Sequence, residues 1–390
     1  MNRIASLAMR DKGVLAGLAF TLLLGIIANG ALHAGNFDMA AKGSGSGAVG
    51  LATAAQASGI VMAAPLLVLL TRAVRRVNLA LVAGGLTAVG FLSIFAGSSV
   101  AAVVPGRFLL GCGIGLGMAF SEYVIISRAR PGLRPLFVTA FGVVLAGGHA
   151  LGTLLMGFNQ FSPVLLILPV LLVVGSVLLS KWGQLPPQQG EERPRDLWRL
   201  ITISPAIFLA AALFGFLDNG FLTMLPDFFA RAGIEREGLV IASFAAFAGI
   251  CAFQIPAGLL AARFEPFGLL RGIILLLIGG IMLTAFAVDV AAIRIPMVFV
   301  LGGMLDILYT VGLISLAATV PRQHMAAANA CFVSFCGLGE VGGPLVTGPT
   351  LQFGGFDGGI IMILYLLVAY WIGSALLQFH KQTQAVSLPL

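Results

Sequence analysis

Twelve separate runs of apolar residues, each roughly twenty long, constrain this chain more than any other feature in it. They lie at 14–33, 47–70, 78–97, 100–121, 136–157, 163–180, 203–226, 238–261, 270–288, 295–317, 326–348 and 359–378. A helix rising 1.5 Å per residue needs about 20 of them to cross the hydrocarbon core of a bilayer. Within that core only helices and closed barrels satisfy their own backbone hydrogen bonds, and runs of this length read as helices. The balance of residues agrees: 59% are hydrophobic, only 9% are charged, and the mean hydropathy is +1.05. A soluble chain carries about 25% charged residues, so most of this surface cannot face water, which excludes a soluble enzyme. The net charge of +7 does not point to nucleic acid, because the Lys and Arg sit in short clusters between the runs. The expected fold is an all-α integral membrane protein with the lipid bilayer around it.

An even number of spans puts both termini on one side, and the basic residues decide which. The termini and the connections 71–77, 122–135, 181–202, 262–271 and 318–325 hold seventeen Lys and Arg, among them Arg72, Arg75, Arg76, Arg128, Arg134, Arg263 and Arg271. The alternate connections hold four, Lys42, Arg231, Arg236 and Arg294, so the positive-inside rule assigns the termini to the cytoplasm. The first run follows Arg3, Arg10 and Lys12, as a secretory signal would. Its removal would leave eleven spans and break the repeat described next, so it is read as a span. Cys112, Cys251, Cys331 and Cys336 all fall inside spans without metal-ligand spacing and read as small packing residues. No metal or cofactor is expected.

The second half of the chain repeats the first. A shift of 191 lays Pro65 on Pro256, Arg72 on Arg263, Pro105 on Pro296, Gly111 on Gly302, Gly148 on Gly339 and Gly152 on Gly343, and a shift of 190 lays Asn29-Gly30 on Asn219-Gly220. Matches at one shift, each in the corresponding span, mark a duplicated six-helix unit. The expected organisation is a first bundle over 1–182, a polar cytoplasmic linker over 183–201 carrying Pro186, Pro187, Glu191, Glu192 and Pro194, and a second bundle over 202–390.

Several local motifs then resemble one family, the major facilitator superfamily. Thr71-Arg72-Ala73-Val74-Arg75-Arg76 matches part of the signature between its spans 2 and 3, with a counterpart in Gly258 to Phe264. Arg107, Gly111 and Gly115 look like its span 4 motif, and the Gly-rich stretch from Gly142 to Gly152 stands where its antiporters place a Gly-Pro pair, here Gly148-His149. Gln254-Ile255-Pro256-Ala257-Gly258, Leu308-Tyr309, Ala328-Asn329 and Gly342-Gly343-Pro344 are most similar to the YcaD-type branch of small bacterial permeases. The resemblance implies two pseudo-symmetric six-helix bundles in a bacterial inner membrane, with the first and fourth helices of each lining a central path. It also implies a cytoplasmic gate at Arg72, Arg76 and Arg263. The family's gate Asp is replaced by Thr71 and Ala262, so the gate must rest on the arginines or on other contacts, or the arginines are only topology anchors.

An ionisable group at mid-bilayer costs roughly 2.5–3.5 kcal/mol on insertion scales and usually has a function. Away from the span ends there are five: Arg107, His149, Asp218, Asp306 and Glu340. They fall on spans 4, 5, 7, 10 and 11, and Asn29 lies on span 1. Asp218 and Glu340 are expected to be the proton-responsive carboxylates, with His149, at the position equivalent to Glu340, a third pH-sensitive group. Asn29, Arg107, Asn219, Asp306 and Tyr309 are expected along the substrate path, Arg107 as an internal counter-ion or a substrate clamp. Glu122 is expected to form an interfacial ion pair with Arg128. No Gly-x-x-x-x-Gly-Lys-Ser/Thr motif suggests ATP, and no HExxH or paired-carboxylate motif suggests an enzyme. The expected function is alternating-access transport of a small organic solute by a monomer. Proton antiport out of the cell comes first, uptake by symport or facilitation second, and a non-transporting sensor behind both.

Overall fold

The computed structural model of the protein describes residues 11–41, 46–73, 78–96, 100–129, 133–158, 164–183, 198, 200–202, 204–222, 236–261, 263–287, 290–321 and 324–387. The helices of the first half are α1 Lys12–Ala41, α2 Ser46–Val61, α3 Ala63–Ala73, α4 Leu79–Ala96, α5 Val100–Arg128, α6 Arg134–Phe158 and α7 Val164–Trp182. Those of the second are α8 Pro205–Leu217, continued by a π-turn Asp218–Leu222, then α9 Arg236–Ala261, α10 Pro266–Ala287, α11 Ala291–Thr319 and α12 Met325–Ser387. Among the described residues eight helical stretches are long and apolar enough to cross a membrane. Four shorter apolar ones, Leu51–Val61, Leu79–Ile94, Ile167–Trp182 and Phe267–Leu283, fall on the remaining runs.

At two places the runs depart from one uniform helix each. The second is broken between α2 and α3 because Pro65 has no N–H and its ring crowds the carbonyl four residues back, that of Val61. There the Met62 N–H turns back to the Gly59 carbonyl at 3.0 Å. The last two runs are two helices that meet at a kink within α12, at Gly355, whose φ of 63° suits a residue without Cβ. Helix starts are locally specified as well. Asp11 accepts the Gly13 and Val14 N–H groups at 2.8 and 3.3 Å, and Glu265 accepts those of Phe267 and Gly268 at 3.0 and 2.6 Å.

The halves are packed alike. Helix α1 lies on α6 as α8 lies on α12, and α2 lies on α5 as α9 lies on α11. Small residues permit the closest of these approaches. A Cβ on Gly152 would stand 2.5 Å from the Ile26 carbonyl oxygen, and one on Gly343, the equivalent glycine, 2.6 Å from that of Phe216. Between the halves, α6 packs on α9 while α12 packs on α2 and α3. Helices α5 and α11 are the most enclosed, with 78% and 83% of their most apolar windows buried, against 28% for Asp357–Leu376. The apolar outer surface, including Val170 of α7, Leu276 of α10 and Tyr365 of α12, is exposed as lipid contact requires. Most of the expected linker, 184–197 and 199, lies outside the described residues.

Candidate functional site

A cavity of about 100 Å³ lies between the halves, with room for several water molecules. Its second-half wall carries Asp218, Asn219, Asp306, Tyr309 and Glu340, with the Phe214 and Phe247 rings beside them. Its first-half wall carries Asn29, Thr53, Gln56, Met118 and His149. The sequence places these residues on eight different spans; pairwise packing of the two bundles brings them together.

Each group is positioned by its helix. Asp218 and Asn219 open the π-turn that ends α8, a wider turn that recurs at functional sites. The Asn219 side chain donates to the Glu340 carbonyl at 3.4 Å, and Asn29 donates to the His149 carbonyl at 3.2 Å. These two bonds occupy equivalent places in the two halves. Asp306 and Tyr309, three residues apart, share a face of α11. The Gln254 amide of α9 donates to Asp306, and the Thr310 hydroxyl donates to Gln254. The Cys336 thiol, one turn before Glu340, donates to its Oε1 at 3.4 Å. Across the halves, the His149 and Phe247 rings meet edge to face with centroids 6.2 Å apart.

Overlaying the repeat gives the wall its character. Asp218 takes the place of Ala28, Asp306 that of Gly115, and Glu340 that of His149. All three carboxylates of the cavity therefore belong to the second half, and their counterparts in the first carry no acid.

Arg107 needs a correction. It is fully buried but does not line the cavity; its Nη1 donates to Gln56 Oε1 at 3.1 Å, and Gln56 is what faces inward. Arg263 is exposed in the turn after α9, the Arg72 side chain is outside the description, and Arg76 lies outside the described residues. Other contacts hold the halves together at their basic end. Arg134 donates to the Ala317 carbonyl at 2.9 Å, the Ala64 N–H to Ser334 Oγ at 3.0 Å, and the Tyr309 hydroxyl to Glu122. The expected pair of Glu122 and Arg128 does not form, since Arg128 is held by Asp11 at 2.7 Å. Gln56, Gln254 and Glu122 were missed as site residues. An uncharged polar side chain inside an apolar run would have been the signal for the two glutamines.

The model of the major facilitator superfamily matches residues 13–344, from α1 into α12. The chain belongs to this superfamily. A search of curated proteins finds no match. Among solved structures, the human organic anion transporter MFSD10 superposes with a TM-score of 0.74 at 15% identity, over 93% of this chain and 99% of that one. The proton:xylose symporter XylE bound to 6-bromo-6-deoxy-D-glucose gives 0.73 at 13%, over 95% of each chain. The E. coli fucose:proton symporter FucP gives 0.72 at 12%, over 94% of this chain and 98% of that one. At these identities the likeness is one of fold. The protein is a multi-pass membrane protein with the fold of a major facilitator transporter, and the cavity lies between its two halves.

Proposed function

We propose that the protein is a secondary active transporter that moves a small organic solute across the bacterial inner membrane by alternating access, driven by protons. The observation that carries this reading is the cavity between the halves, walled on one side by Asp218, Asp306 and Glu340 and on the other by neutral polar groups. Such a wall binds and releases protons where a solute also sits. Asp218 and Glu340 are the proton-responsive groups, His149 adds pH sensitivity, and Asn29, Asn219, Asp306 and Tyr309 line the solute path. Both termini face the cytoplasm, with 183–201 joining bundles 1–182 and 202–390. Within the superfamily the likeness to the YcaD-type permeases supports a small-solute carrier acting as a monomer.

Export by proton antiport is the direction we adopt, on the Gly-rich stretch from Gly142 to Gly152. Uptake by symport is the second reading, favoured by Gly148-His149 where antiporters have Gly-Pro. Arg72, Arg76 and Arg263 act at the cytoplasmic gate. With three acids on the wall and Arg107 set behind Gln56, the cargo is a cationic or neutral amphiphile. Proteoliposomes with an imposed pH gradient test this using tetraphenylphosphonium, xylose and p-aminohippurate as cationic, neutral and anionic probes. Gradient-driven movement of either of the first two is expected. Movement of the anion alone would overturn the assignment of cargo charge, and movement of none would overturn the proton-driven reading.

A further inference from the structure

The buried acid that the cavity does not use is Glu122. Ile114, Met118 and Glu122 follow one face of α5 at spacings of four; the first two line the cavity, and Glu122 lies one turn beyond it toward the basic end. The residue is 1% exposed. Oε1 accepts from the Tyr309 hydroxyl of α11, in the other half, and Oε2 has no hydrogen-bond partner among the described residues. Tyr309 is fixed for this role, its ring between those of Phe214 and Phe332 with centroids 5.2 Å away in each case. The repeat holds no second copy of the pair, because Met118 and Leu313 occupy the equivalent positions.

We infer that Glu122 and Tyr309 form a proton-operated latch that holds the two halves together beneath the cavity. A carboxylate buried with one hydrogen bond costs several kcal/mol, far more than the neutral acid, so the closed latch holds its proton. When α5 and α11 part, water from the basic side reaches Glu122. The O–H bond breaks, the proton leaves to that water, and closing the latch takes one proton back from the same side. A low proton concentration at the basic end therefore favours opening there. Because Tyr309 also lines the cavity, the latch shares a side chain with the solute path. The titratable groups around Glu122 are Tyr309 of α11, which donates to it, and, farther off on the cavity wall, the Cys336 thiol of α12. Arg128 on its own helix is held by Asp11, just before α1, and Arg134 of α6 is turned to the Ala317 carbonyl.

The test is electron–electron distance measurement on the full chain in lipid nanodiscs. Spin labels go at Lys181 and Phe264, exposed residues of opposite halves. Cys251 is first replaced by Ser, the other three cysteines being buried. From pH 5.5 to 8.5 (chosen to span neutrality, ~3 pH units), the long-distance population should grow relative to the short one, by up to about tenfold per pH unit, the limit for one proton. Glu122→Gln keeps the acceptor oxygen and cannot lose a proton, so it should stay at the short distance throughout. Tyr309→Phe should show the long distance already at the acid end. A wild-type ratio that is flat with pH, a Glu122→Gln variant that titrates like wild type, or a Tyr309→Phe variant that matches wild type would each overturn the latch. Solute flux is a separate readout, so the transport reading can survive the loss of the latch.

Discussion

In the first half Asn29 donates to the carbonyl of His149 at 3.2 Å, and in the second Asn219 donates to the carbonyl of Glu340 at 3.4 Å. The backbone frame of the two bundles is thus the same where their helices meet, down to the glycines at Gly152 and Gly343. Their cavity faces are not the same. The second half presents Asp218, Asp306 and Glu340, and the first presents Ala28, His149 and, through Gln56, the buried Arg107. Close backbone contact restricts what a position can hold, whereas a position facing a cavity needs only to remain hydrated. Duplication therefore preserved the scaffold and left the chemistry free to gather on one side.

If the frame is shared, insults to it should hurt both halves equally. Gly152→Val and Gly343→Val each push a side chain into a carbonyl oxygen of the facing helix, and each is expected to destabilise by about 1–3 kcal/mol. Thermal unfolding in detergent checks this, and a large drop in only one of the two would break the equivalence. The second comparison concerns a pair that differs between halves: Gln56 and Arg107 correspond to Phe247 and Val298. Gln56→Phe alone removes the acceptor of one Nη1 hydrogen bond from a buried guanidinium, so Gln56→Phe with Arg107→Val should be more stable than the sum of the single changes. A coupling of about 0.5–3 kcal/mol is expected from the double-mutant cycle, and strict additivity would show that the two do not act together. The smallest effect belongs to the mirrored asparagines. Asn29→Ala and Asn219→Ala should each lose about 0.6 kcal/mol, the average for a side-chain hydrogen bond within a membrane bundle, by the same unfolding measurement.

Much of this was legible in the chain itself. The spans are legible because a bilayer fixes their length, and the repeat because prolines and glycines recur at one shift. The three acids of the cavity stand out because charge is so scarce in the runs. Depth along a helix can be counted from sequence, but facing cannot when a helix is apolar all round. That is why the sequence does not show that Arg107 lies behind Gln56 rather than on the cavity wall. Glu122 shows the complementary error. Its supposed partner Arg128 is six residues on, and only neighbours at three or four share a helix face; Tyr309, which it does meet, comes from the other half. Gln254, an uncharged group on a span with no charged residue, was not expected at the site, although it holds Asp306. The break at Pro65 follows from proline chemistry, while the passage through Gly355 within α12 depends on packing that local sequence does not show.

Proton-driven solute flux in proteoliposomes carrying wild type, Asp218→Asn, Glu340→Gln or His149→Gln tests the division of labour between the halves most directly. The gradient-driven component should fall at least about tenfold in each acid variant, equivalent to ~1.4 kcal/mol of barrier, and by a smaller factor in His149→Gln. Wild-type coupling in both acid variants would contradict the assignment of proton coupling to the second half.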